Sequence, residues 1–191
     1  MYKKTHALVE SAIMIALATV LSYVKVWDMP MGGAITLCSM LPIILVSVKY
    51  GTKWGVGAAF VYSLIQTLQA IISGNVFPYC KTLDTIVICE VFDYLIPFTF
   101  LGFAGILRNL RKPCRNFGIY LGIGLALLVR FLCHFVSGVV IWSQWAEDMG
   151  PYLYSFLYNG TYLLPELIIT LAAAIFLLEV PSISKHFKLN A

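Results

Sequence analysis

Three side chains, Asp93, His134 and Asn159, each interrupt a long apolar run in this sequence. A carboxylate, an imidazole and a carboxamide in oily surroundings are costly unless they face an interior, a cavity or a ligand. Asp93 has Glu90 three residues before it, on the same helical face, and Tyr94 immediately after it. The stretch from Arg130 to Glu166, RFLCHFVSGVVIWSQWAEDMGPYLYSFLYNGTYLLPE, holds one of only three histidines and two of the four tryptophans, Trp142 and Trp145. It also holds four tyrosines, among them Tyr154. Taken alone, Trp142 and Trp145 read as interfacial belt residues. Beside a carboxylate, a histidine and several tyrosines they read as an aromatic box, which holds organic cations through contacts of about 0.5–2 kcal/mol each. The ligand this chemistry suits is a flat, heteroaromatic, cationic small molecule. It would stack on Trp and His, Asp93 would offset its charge, and Asn159 and tyrosine hydroxyls would read its ring nitrogens or amino group.

The elements that must carry these groups are membrane helices. The chain has 191 residues, of which 60% are hydrophobic and 12% charged, about half the charged share of a typical soluble domain. Its apolar runs approach the roughly 20 residues that a span requires, and backbone in lipid must pair internally, so each span is a helix. The expected fold is all-α: residues 1–191 form a single six-helix transmembrane domain, with spans near 6–24, 36–49, 54–73, 84–107, 116–142 and 152–180. The first run lacks a small-residue cleavage site and leads straight into further spans, so it reads as retained. Ten basic residues fall on one side (Lys3, Lys4, Lys49, Lys53, Arg108, Arg111, Lys112, Arg115, Lys185, Lys188) and two, Lys25 and Lys81, on the other. The positive-inside rule then places both termini in the cytoplasm. The same distribution assigns the net charge of +4 to topology and lipid, not to nucleic acid. The five cysteines are scattered, without metal-ligand spacing or a disulfide framework.

Helical rise brings the polar groups together. At 1.5 Å per residue, Asp93 lies roughly 14 Å, His134 about 12 Å and Asn159 about 10 Å below the outer surface. Three helices thus contribute to one slab. Ser155, Asn159, Tyr162 and Glu166 share a helical face, with Tyr154 and Tyr158 on an adjacent edge. Pro97 can kink the helix just below Asp93 and open a cavity. Arg130 and Glu166 lie deeper, about 18 and 21 Å down, and read as a structural ion pair beneath the pocket, with a proton or ion relay as the alternative. Gln66 and Gln69 share a face and can bond to neighbouring helices. The outer WDMPMGG connection is either a lid over the pocket or an interfacial loop anchored by Trp27. Ala12 and Ala16, four apart, serve either packing within the chain or close approach of a partner helix.

These residues resemble a known family, the thiamine-specific substrate-binding subunit (S component) of energy-coupling factor (ECF) vitamin transporters. The resemblance covers essentially the whole chain: six spans, the MPMGG loop, DYLIPFTFLGFAG, RFLCHFVSGVVIW and YSFLYNGTYLLPE. It implies that Asp93 and Tyr94 meet the thiazolium and hydroxyethyl portion of thiamine. It likewise implies that His134 and Trp142 stack on the ligand, and that Tyr154 and Asn159 address the aminopyrimidine. The family's acid is often Glu, and Asp93 is one methylene shorter. Trp145 matches a further loop tryptophan approximately, and Trp27 an aromatic of the first outer loop. Ala12 and Ala16 match the motif by which S components dock on a transmembrane coupling subunit. No Walker A pattern occurs in the sequence, so two separate ATPase subunits would supply hydrolysis. The resemblance therefore implies a multi-pass plasma-membrane capture subunit with no cofactor and no metal. Two rivals stand beside it. One is an S component for riboflavin or a pyridoxine-like vitamin, from which the need for Asp93 discriminates. The other is an intramembrane enzyme built on His134, which lacks GxSxG, HExxH or any adjacent nucleophile.

Overall fold

The computed structural model describes residues 4–110 and 116–187. Helix α1 (Lys4–Tyr23) leads into a hairpin of β1 (Lys25–Asp28) and β2 (Ala34–Thr36), joined through a short 3-10 turn at Pro30–Gly32. Then come α2 (Leu41–Tyr50), α3 (Thr52–Ser73) and a 3-10 turn at Phe77–Tyr79. The fourth span is composite: α4 (Leu83–Cys89), a π-helical turn (Glu90–Leu95), α5 (Ile96–Thr99) and a 3-10 helix (Phe100–Leu107). Helices α6 (Phe117–Val140) and α7 (Pro151–Glu179) follow, with a 3-10 turn at Trp142–Trp145 between them and α8 (Pro181–His186) after them. Five of these segments are long and apolar enough to cross a membrane: Lys4–Tyr23, Thr52–Ser73, Leu83–Leu107, Phe117–Val140 and Pro151–Glu179. The expectations placed on Lys3, Arg111, Lys112, Arg115, Lys188 and Cys114 lie outside the described residues.

The second span differs from expectation. Residues 34–36 belong to the hairpin, and Cys38 has a left-handed backbone (φ 58°) that delays the helix. Helix α2 therefore begins at Leu41 and has ten residues, about 15 Å of rise. It does not need to reach lipid at both ends. Leu41 through Lys49 are all buried, so α2 forms the centre of the bundle. Its last turn holds Lys49, whose ammonium lies 2.6 and 2.8 Å from the two carboxylate oxygens of Glu10 on α1. The same ammonium sits 5.7 Å above the Phe187 ring. Both described ends of the chain thus meet at one end of the bundle, and the hairpin marks the other.

The break in the fourth span has a local cause. Pro97 has no N–H, so the carbonyl of Asp93 loses its α-helical partner. The backbone widens just before it, and the Ile96 amide reaches back five residues to the Val91 carbonyl. Such π turns rotate neighbouring side chains out of α-helical register, and here the residues inside the turn include Asp93 and Tyr94.

Small residues bring α6 onto the 3-10 helix. Gly118 and Gly122 are one turn apart, and a Cβ at either would overlap a carbonyl oxygen, of Leu107 or of Ala104. Backbone cannot yield there as a flexible side chain would. The Gly122→Ala variant is expected to lose about 1–3 kcal/mol, read as a lower melting temperature in detergent. A variant that melts with the parent would show that the two segments separate freely.

Candidate functional site

Asp93 is buried, and three donors converge on its carboxylate. Ser137 Oγ donates to Oδ1, Trp142 Nε1 donates to Oδ2 at 3.2 Å, and His134 Nδ1 lies 3.1 Å from Oδ1. Arg130 Nε donates to the other imidazole nitrogen, Nε2, at 3.3 Å. An Nε2 that accepts leaves the ring proton on Nδ1, facing Asp93. Arg130, His134 and Ser137 stand on one face of α6 at helical spacing, so a single element delivers two of the three donors. The third comes from the 3-10 turn that follows it.

Helix α7 supplies the facing wall. Asn159 Nδ2 donates to the backbone oxygen of His134 at 3.1 Å and to that of Ser155 at 2.9 Å. Tyr162 donates to Asn159 Oδ1 at 2.9 Å, and its ring meets His134 edge-on with centroids 6.1 Å apart. One turn earlier, the Tyr158 hydroxyl donates to the Pro30 carbonyl and accepts from the Gly33 amide at 3.2 Å. One turn beyond Tyr162, Glu166 Oε1 accepts from both the amide (2.8 Å) and the hydroxyl (2.6 Å) of Thr36. Successive turns of α7 thus hold the hairpin over the bundle.

Between the hairpin, α3, the π-helical turn, α6 and α7 lies a cavity of about 180 Å³. Asp93, Tyr94, His134, Trp142 and Asn159 all line it. The polar groups expected at one depth from helical rise therefore all line one cavity.

A family comparison adds to this geometry. The model of the "Thiamine transporter protein (Thia_YuaJ)" family matches residues 8–185. The chain belongs to the thiamine transporter family. Among curated relatives of this family, the thiamine transporter ThiT of Bacillus subtilis is 29% identical over 178 residues, covering 87% of each chain. ThiT of Lacticaseibacillus paracasei is 25% identical over 182 residues, which is 94% of this chain and 90% of the relative. A solved structure of ThiT from Listeria monocytogenes superposes with a TM-score of 0.75 at 22% identity, covering 97% of this chain and 99% of that one. A thiamine transporter family member with these apolar helices is a multi-pass cell-membrane protein. It is a transporter and not an enzyme.

In this family member, three of the residues singled out from sequence stand outside the cavity wall. Trp145 stacks behind Trp142 with ring centroids 5.7 Å apart, and Tyr79 meets Trp145 edge-on at 5.5 Å. Tyr154 stacks on Tyr158 at 5.9 Å, with its hydroxyl 3.7 Å from Met31 Sδ. Trp27 lies on β1, exposed and away from the cavity. The Arg130–Glu166 ion pair is corrected as well. No salt bridge joins them among the described residues, although both line the cavity. Arg130 instead donates to Met40 Sδ at 2.8 Å and lies over the Phe98 ring at 4.3 Å, while Glu166 is taken by Thr36. Ala12 and Ala16 are exposed on α1.

Sequence reasoning missed Ser137 and the hairpin-holding role of Tyr158. The signal for Ser137 was present, because it follows Arg130 and His134 at seven and three residues. Nothing in the spacing of Tyr158 pointed to the backbone of residues 30 and 33.

Proposed function

We propose that this chain is the thiamine-capturing S component of an ECF-type uptake transporter, with the thiazolium ring held at Asp93. The observation that carries this reading is the buried Asp93 carboxylate on the cavity wall, oriented by Ser137, Trp142 and His134. Three donors fix the orientation of its two oxygens, and a permanently cationic ligand supplies the opposite charge that lipid cannot. Trp142 and His134 offer ring faces and edges to the ligand, and Tyr94 lines the thiazolium side. Asn159 reads the aminopyrimidine from α7. Tyr154, Trp145 and Trp27 contribute from behind this wall or from the rim. The hairpin, clasped by Tyr158 and Glu166, closes the cavity from above.

The rest of the transport cycle lies with partners. The exposed Ala12–Ala16 face of α1 suits close approach of a transmembrane coupling subunit, and two ATPase subunits drive release. The positive-inside rule puts the Glu10–Lys49 end of the bundle in the cytoplasm, which leaves the hairpin facing outward.

Intrinsic tryptophan fluorescence of the detergent-purified protein, titrated with thiamine and separately with riboflavin, tests this reading. Thiamine is expected to quench saturably at submicromolar concentration, because Trp142 lines the cavity, and riboflavin is expected to give no saturable change. Saturation by riboflavin alone would transfer the site to another vitamin.

A further inference from the structure

Helix α3 contributes a wall of the cavity that the aromatic and acidic groups do not use. Gln66 and Gln69 line it, together with Ser22 from α1. Gln66 Nε2 donates to Gln69 Oε1 at 2.8 Å, and Ser22 Oγ lies 3.1 Å from the same oxygen. The other end of that amide, Gln69 Nε2, is buried and has no hydrogen-bond partner among the described residues. An unmet buried amide costs free energy until a partner arrives.

Given the functional reading above, on which this rests, we infer that Gln69 is a specificity-determining residue that hydrogen-bonds the hydroxyethyl oxygen of thiamine. The direction of the arm follows from the walls. Helix α3 packs along the π-helical turn, where Thr67 Oγ1 donates to Glu90 Oε1 at 2.9 Å. Gln69, two residues further on and bonded to Gln66 and to Ser22 of α1, stands on the α1–α3 side of the cavity. Asn159 and Tyr158 belong to α7, which packs on α6 and the hairpin. In thiamine the aminopyrimidine and the hydroxyethyl arm leave the thiazolium ring from different positions. With the ring at Asp93 and the pyrimidine toward α7, the arm extends toward α3. A hydroxyl both donates and accepts, so it meets the Gln69 amide whichever way that amide is turned.

The test compares thiamine with an analogue whose hydroxyethyl arm is replaced by ethyl, on the full chain in detergent. The parent protein is expected to bind thiamine about tenfold more tightly than the analogue. Gln69→Leu is expected to weaken thiamine about tenfold and to leave the analogue within about twofold, which removes the preference. Equal losses for both ligands would make Gln69 a structural residue, and an unchanged thiamine affinity would also overturn the inference. If the leucine variant does not fold, the parent decides alone: equal affinity for the two ligands refutes a hydrogen bond to the hydroxyl. A parent that binds riboflavin and not thiamine overturns the functional reading, and this inference with it. A parent that binds thiamine and analogue alike overturns only the inference.

Discussion

Asp93→Asn is expected to weaken thiamine binding by about 30- to 1000-fold, or roughly 2–4 kcal/mol, without unfolding the protein. The magnitude follows from leaving one member of a buried charge pair without its partner. Asn fills the same volume, so the cavity keeps its shape. Its chemistry is different at the two oxygens. Ser137 and His134 both address Oδ1, and Trp142 Nε1 addresses Oδ2. An amide satisfies one of these sets and turns its own NH2 against the other, so part of the loss comes from mismatched donors as well as from charge. Two measurements on the purified variant separate these contributions: the dissociation constant for thiamine, and the melting temperature without ligand. A large loss of affinity with a small shift in melting assigns Asp93 to the ligand. An affinity within about twofold of the parent, in a protein that melts normally, would remove the charge-pairing argument.

How much of this could be read in the sequence divides along physical lines. Helical rise is fixed, so depth was legible, and Asp93, His134 and Asn159 do line one cavity. Rotation about the helix axis is not fixed by depth, and there the reading failed. Arg130 and Glu166 lie at similar depths, yet Arg130 turns to Met40, Phe98 and His134, and Glu166 turns to Thr36. Hydropathy marks apolar runs, and it found the five long spans to within a few residues. It could not separate the short buried α2 from the strand before it, because both are apolar and neither faces water. The hairpin was hidden for a related reason. Its strands have four and three residues, with a register irregularity between Lys25 and Trp27, so no alternation had room to show. Pro97 announced a kink, but the widened turn before it appears only in the backbone hydrogen bonds.

Trp142 is the second residue on which thiamine binding is expected to depend heavily. Its indole does two things that a pair of substitutions separates. The ring lines the cavity and stacks on Trp145 at an interplanar angle of 29°, which presents a fixed aromatic surface to a cation. Its Nε1–H holds Asp93 Oδ2 at 3.2 Å, which aims the carboxylate. Trp142→Ala removes both and is expected to weaken thiamine about 100-fold, from the lost cation–π and stacking contact together with the lost hydrogen bond. Trp142→Phe keeps an aromatic surface and loses only the donor, so a loss of about 5- to 10-fold is expected. Trp145→Ala leaves the cavity wall in place and is expected to cost less than either, because Trp145 supports Trp142 from behind. Isothermal titration suits this series better than fluorescence, since each substitution removes a fluorophore. An alanine variant that binds as tightly as the parent would assign Trp142 to the interfacial belt. Equal losses for Phe and Ala would place its whole contribution in the hydrogen bond to Asp93 and none in the ring.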